Sequence, residues 1–225
     1  MKPTYYFGTK RPVLDTDYYE TYNRDNVSLI DAKAHPIKEI TEKGIKTSAE
    51  EYELDIIVFA TGYDAMTGTL LKMDIRGRDG ISLYDKWSGG SSVKTYLGLA
   101  INGFPNMFTI TGPESPSVLT NMPISIEQHV EWIHDFIAYM DEHRMAVSEA
   151  EAEAEDNWSQ HCREVAEKTL FVQTDSWYTG ANVNGKPRGF PIYLGGVGPY
   201  RKICDDVAAN SYKGFSLNSL TGQKI

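Results

Sequence analysis

At 225 residues the chain can bury one substantial core or two smaller ones, and 41% hydrophobic with 24% charged residues marks a globular protein and excludes a disordered tail. A formal net charge of -9 with no offsetting basic run argues against a nucleic-acid surface, and the longest unbroken apolar run, Ile56 to Ala60, is too short to span a bilayer. Two cysteines, Cys162 and Cys204, are too few for a disulfide framework, and Met1 to Gly8 lacks the apolar core of a signal peptide, so a reduced, cytoplasmic setting is expected.

Residues 1 to 25 are rich in tyrosine and charge around Gly8-Thr-Lys-Arg-Pro12. Pro12 turns Arg11 away from helical geometry, so Lys10 and Arg11 project from a loop. Taken alone, such a pair is a solvated basic patch. From Val27 the segments Val27–Leu29, Ile37–Ile40 and Ile45–Lys46 read as strands parted by Asp31, Pro36 and Glu42-Lys-Gly44. In Tyr52 to Asp64 apolar residues first alternate and then run continuously from Ile56 to Ala60, the pattern of a strand entering a sheet covered on both faces. It ends on Ala60-Thr-Gly62, small enough for a backbone or flat ligand to approach; alone, this is an ordinary buried strand with a glycine turn.

Residues 65 to 111 are punctuated by glycine, with Tyr96–Ala100 and Met107–Thr111 reading as strands. Gly112-Pro-Glu-Ser-Pro-Ser-Val-Leu-Thr-Asn-Met-Pro123 follows and leads into a helix whose apolar face is Ile126, Val130, Ile133, Ile137 and Met140, widened by Trp132, Phe136 and Tyr139. Pro123 suits its first turn and Ser125-x-x-Gln128 suits a capping box one step later; both starts remain open. A second helix is expected from the capping box Ser148-x-x-Glu151 to about Leu170, with Trp158, Cys162, Val165 and Thr169 inward and Glu149, Glu151, Glu153, Glu155 and Asp156 as an exposed acidic face. Some twenty residues without period follow, Val172 to Pro191, a length that is usually functional or disordered.

Several chemistries find no support. The five histidines do not converge and no His-Glu-x-x-His or Cys-x-x-Cys occurs, so no metal site is expected. Gly112-Pro-Glu-Ser-Pro places proline where a nucleophile elbow needs glycine. There is no Gly-x-Gly-x-x-Gly between strand and helix and no phosphate-binding Gly-x-x-x-x-Gly-Lys; Gly195-Gly-Val-Gly198 lacks the third glycine and opens no helical pattern.

Asp55-Ile-Ile-Val-Phe-Ala-Thr-Gly-Tyr-Asp64 resembles the strand by which two-dinucleotide flavoproteins pass from the NADP domain back into the FAD domain. Within that group, Lys10-Arg-Pro12 with Tyr18 to Val27, Gly112 to Pro123, Gln173 to Lys186, and the tail Tyr193–Arg201 with Tyr212–Leu217 resemble the Baeyer-Villiger monooxygenases, a likeness running from about Tyr6 to Leu217. It implies an α/β fold, part of a two-dinucleotide-binding, Rossmann-like flavoprotein: residues 1–63 closing the NADP-binding domain with a linker loop, 64–217 the carboxy-terminal part of the FAD domain, and 218–225 a loose tail. Because both glycine fingerprints are missing, the amino-terminal part of the same enzyme is expected as the chain's partner, and the isolated chain is expected to bind FAD and NADP weakly or not at all and to be inactive.

The activity implied is insertion of one oxygen atom from O2 beside a ketone carbonyl, giving an ester or lactone, with FAD and NADPH as cofactors. On this resemblance Arg11 is catalytic and sits over the flavin, holding positive charge beside the developing anion, a task suited to a permanently charged fork of donors. Lys10 contacts the NADP 2'-phosphate, Met122 lies against the flavin, and the Trp177 indole N–H bonds the nucleotide. Ser115, Ser117, Val118 and Leu119 line the ketone pocket. Taken alone, Met122 is core filler and Trp177 a core-edge residue. The alternatives are an N- or S-hydroxylating flavin monooxygenase, which shares the Ala-Thr-Gly strand but is disfavoured by the Lys10 and Trp177 loops, and a non-catalytic half-domain or binding module.

Overall fold

The computed structural model describes residues 5–219; the expectations for Met1 to Thr4 and for residues 220–225 lie outside them. Two compact units divide the chain, one of them Arg11–Tyr63 and the other the described residues on either side of it.

In Arg11–Tyr63 a short helix α1 (Tyr18–Thr21) precedes an antiparallel meander of β1 (Ile37–Thr41), β2 (Gly44–Thr47) and β3 (Glu51–Glu53) in the order β1-β2-β3. The β1–β2 turn is held by the Thr41 hydroxyl, which accepts from the Gly44 N–H at 3.1 Å. A Cβ on Gly44 would lie 2.0 Å from the Tyr52 carbonyl oxygen, so the meander requires glycine there. The strands expected at Ile37–Ile40 and Ile45–Lys46 form, whereas Val27–Leu29 is irregular. The apolar run after Leu54 is not a strand either. Ile56, Val58 and Phe59 are 78%, 82% and 70% exposed, because among the described residues no strand pairs with this segment, and an extended backbone without a ladder partner turns to water.

The second unit is helical, with one two-stranded sheet. Its short helices α2 (Gly68–Lys72) and α3 (Leu83–Lys86) are followed by α4 (Met122–Glu142), β4 (Val147–Ala150), α5 (Ala152–Glu167), α6 (Val197–Ala209) and β5 (Phe215–Asn218). β4 and β5 pair antiparallel, Ser148 opposite Leu217. Ser148 is therefore a strand residue whose N–H donates to Asn106 Oδ1 at 2.8 Å, and α5 opens at Ala152 after Glu151 without a side-chain cap, not from a capping box at Ser148. Asn218, expected to open a loose tail, instead closes β5.

The core gathers aromatic rings from four elements, Trp132 and Phe136 of α4, Trp158 of α5, Tyr200 of α6 and Phe215 of β5, with Tyr212 just before β5. Phe136 and Tyr212 stack at 4.2 Å between ring centroids and 20° between planes. The buried face of α4 is thus Gln128, His129, Trp132, Phe136 and Met140, while Ile126, Val130 and Ile137 of the expected face are 39%, 46% and 54% exposed. The aromatic edge carries the helix into this core and the aliphatic stripe stays on the surface. α6 opens directly at Gly195-Gly-Val-Gly198, contrary to the sequence reading; Tyr200 and Cys204, four apart, supply the inward positions that the pattern concealed. The strand expected at Tyr96–Ala100 is a turn, because Leu97 and Gly98 at φ 59° and 70° reverse the chain and leave one bridge between Tyr96 and Ala100, and the one expected at Met107–Thr111 is irregular.

Candidate functional site

The residues expected to line a substrate pocket lie on one continuous turn, Gly112 to Asn121, that feeds α4. Two non-glycine residues of this stretch, Glu114 at φ 65° and Ser117 at 40°, and Thr111 just before it at 52°, hold left-handed backbone. Such strain persists only where surroundings over-determine it, and it gathers at functional sites. The surroundings are specific. The Thr111 N–H donates to His129 Nδ1 at 2.8 Å, Ser115 Oγ donates to the Gly112 carbonyl at 2.7 Å, and the Ser115 carbonyl accepts from the Tyr193 N–H at 2.9 Å. From α5 the Trp158 indole donates to the Glu114 carbonyl at 3.1 Å and Ser159 Oγ to the Glu114 carboxyl at 2.7 Å.

Glu114 is the least expected member. It is 4% exposed, its carboxyl also accepts from the Thr95 N–H at 2.8 Å, and burial pushes its pKa up to about 7 against the opposing hydrogen bonds from Ser159 and Thr95. His129, likewise buried, is pushed down to about 4 by desolvation and is a neutral bridge between the turn and α6, with Nε2 2.9 Å from Tyr200 Oη.

Ser115 and Ser117 are buried, Val118 and Leu119 half-buried, and Met122 is the half-buried first residue of α4. Asn121 caps that helix by backbone position but makes no side-chain capping bond, Pro123 fills the first turn, and Ser125 lies inside the helix, so no capping box forms at Ser125. Ser125 Oγ is buried yet has no hydrogen-bond partner. An orphaned hydroxyl on the first turn, at the electropositive end of a 21-residue helix, fits an electron-rich group docked there.

Trp177, half-buried, opens a 3-10 turn, Trp177–Thr179, and contacts Tyr178 at 3.9 Å between ring centroids. The loop carrying it meets the Glu114 side of the turn around a cavity of about 280 Å3, lined by Thr67, Glu114, Trp177, Lys186 and Arg188 among others. Lys10, in the same unit, sits 4.5 Å above the Tyr5 ring. Arg11 belongs to the Arg11–Tyr63 unit, where it is exposed on irregular chain.

Sequence reasoning missed Glu114, His129 with Tyr200, and the orphaned Ser125 hydroxyl. A left-handed glutamate between Pro113 and Ser115 gave no pattern to read; the positions of Tyr200 and Cys204 could have found α6.

No family model matches the chain. Its architecture is that of the flavin-dependent monooxygenases: a crystal structure of OTEMO in complex with FAD and NADP superposes with a TM-score of 0.87 at 41% identity, covering 94% of this chain and 38% of that one. The cyclohexanone 1,2-monooxygenase of Acinetobacter sp is 46% identical over 209 residues, 92% of this chain and 38% of the relative. The phenazine N-monooxygenase PhzNO1 of Lysobacter antibioticus is 44% identical over 211 residues, 93% of this chain and 38% of the relative. In sequence and fold the chain is similar to the carboxy-terminal part of Baeyer-Villiger monooxygenases. It spans about two-fifths of the length of these relatives.

Proposed function

We propose that the chain is the carboxy-terminal part of an FAD- and NADPH-dependent enzyme that inserts one oxygen atom from O2 next to a ketone carbonyl to give an ester or lactone. The observation that carries this reading is the strained turn Gly112 to Asn121 leading into a helix start with a buried, unpartnered Ser125 hydroxyl. Bound FAD would supply electron transfer from NADPH and activation of O2. Met122 and Ser125 would hold the flavin at the first turn of α4, and Lys10 and Trp177 would orient the nucleotide. Arg11 would keep positive charge beside the oxygen on which negative charge develops. Ser115, Ser117, Val118 and Leu119 would shape the ketone pocket and exclude water from it.

The missing share of the relatives' length would cover the aliphatic stripe Ile126, Val130 and Ile137 of α4, since contiguous exposed apolar surface marks an interaction site. Both cysteines are free and buried, which suits a reducing, cytoplasmic compartment.

A second reading has a specific observation behind it: the phenazine N-monooxygenase shares 44% identity over nearly the same region, so the scaffold also serves oxidation at nitrogen. Incubating the intact protein with FAD, NADPH and either a cyclic ketone or an N-heteroaromatic separates the two. Lactone from the ketone supports the first reading; N-oxide alone replaces it with the second.

A further inference from the structure

Lys186 and Asp64, 122 positions apart, form an ion pair in which Lys186 Nζ also donates to the Ala65 carbonyl at 2.9 Å. The side chains are only 13% and 27% exposed. Glycine cradles both partners: a Cβ on Gly180, at φ +77°, would come 3.1 Å from Lys186 Cδ, and one on Gly68 would come 2.3 Å from Asp64 Cγ. The carboxylate therefore occupies space that a side chain at position 68 would take, and the lysine stem packs closely over Gly180, whose left-handed backbone favours glycine. On the loop side, Arg188 Nη1 donates to both the Gly180 and Lys186 carbonyls, at 3.1 and 3.0 Å, closing the segment on itself. The Gly180 N–H in turn donates to the Trp177 carbonyl at 3.2 Å. Asp64 immediately follows Tyr63, where the Arg11–Tyr63 unit ends.

We propose that Lys186 is a positioning residue: its ion pair with Asp64 fixes the loop that carries Trp177, so the lysine acts on nucleotide binding through the tryptophan. The inference rests on the reading of Trp177 as a nucleotide-binding residue. A mostly buried ion pair contributes little net stability, since desolvation offsets attraction, but it specifies geometry. This one connects the loop to the residue at a unit boundary and stands three hydrogen-bonded steps from the Trp177 backbone carbonyl. Losing either charge leaves the partner buried and uncompensated and loosens the loop's hold on Asp64 and Ala65. Trp177 would then sample several positions, and the nucleotide would have to order it on binding.

The test uses the intact protein with Lys186→Met, Asp64→Asn, the double variant and Lys186→Arg. Hydrogen exchange across residues 174–190 is read without cofactor, and KM for NADPH against kcat is read with FAD and ketone. Each single variant is expected to speed exchange in the loop, but not in α4, and to raise KM about tenfold, the effect of one charge-assisted hydrogen bond, with kcat little changed. The double variant should be no worse than either single, and Lys186→Arg should recover most of both readouts. Asp64→Asn keeps the shape of the site and serves should Lys186→Met unfold. Unchanged loop exchange in both single variants, or additive effects in the double, would overturn the proposal. Faster loop exchange in a protein that turns over no ketone would keep the anchor and remove the functional reading instead.

Discussion

Tyr200 and His129 share a hydrogen bond of 2.9 Å inside the core, and the tyrosine hydroxyl donates onward to the Leu97 carbonyl at 2.6 Å. Because His129 Nδ1 accepts from the Thr111 N–H, the ring proton must lie on Nε2, and it is donated to Tyr200. The chain of bonds links the strained turn to α6 with every polar atom used. Tyr200→Phe removes one oxygen and strands two groups, the Nε2–H and the Leu97 carbonyl. Urea unfolding should show a loss of about 1–3 kcal/mol, with no change in the helical signal.

Two buried titrating groups oppose one another with pH. His129 is neutral in the fold with its pKa pushed down to about 4, so its contribution is complete above the ordinary value near 6.5 and is lost as pH falls toward 4. Glu114 is raised to about 7; the fold binds its proton more tightly than the unfolded chain, so stability from it is present below about 4.5 and is lost as pH rises through 7. Between pH 4.5 and 6.5 the slopes cancel in part. Glu114→Gln should unmask a stability that climbs with pH through that window, and His129→Gln one that falls, each on the order of 2–3 kcal/mol. Thermal melts at half-unit pH steps measure both; parallel profiles for the two variants would remove the assignment.

Gly98 turns the chain beneath the pocket loop. At φ +70° it is already in left-handed backbone, and a Cβ there would stand 2.6 Å from both the Cβ and the N of Ser115. Gly98→Ala combines backbone strain with displacement of Ser115 and should cost about 2–4 kcal/mol. In the intact enzyme it should also lower ketone turnover more than NADPH binding, which steady-state kinetics would separate.

Arg11→Ala in the intact enzyme should leave flavin reduction by NADPH measurable while ester formation falls by about 100-fold or more, the scale on which a charge aimed at a developing anion acts. Stopped-flow flavin absorbance and product chromatography read the two steps independently. Unimpaired ester yield would take the catalytic role from Arg11.

The turn from Gly112 into α4 was legible because proline, serine and a helical period are local signals, and the long aperiodic segment around Trp177 announced itself by length. What held them was not legible. Glu155 was read as part of an exposed acidic face, yet it is 2% exposed, accepts from the Asn102 N–H at 2.9 Å and pairs with Lys86 at 3.0 Å. Helical spacing put it beside Asp156 but could not show Lys86 arriving from α3. Glu149 similarly accepts from Arg78 and Gly103. The stripe of Ile126, Val130 and Ile137 was read as the inward face because hydrophobicity marks what is to be covered, not by what. The run Ile56 to Ala60 failed for a related reason: a strand pattern states a requirement for neighbours, and the described residues hold none for it.

Where the oxygen goes tests the proposed ketone oxygenation most directly. With the intact protein, FAD, NADPH and a cyclic ketone under 18O2, mass spectrometry should find one labelled atom in the lactone for each NADPH consumed, the other leaving as water. A lactone without label, or NADPH consumed under labelled O2 with the ketone recovered unchanged, would contradict it.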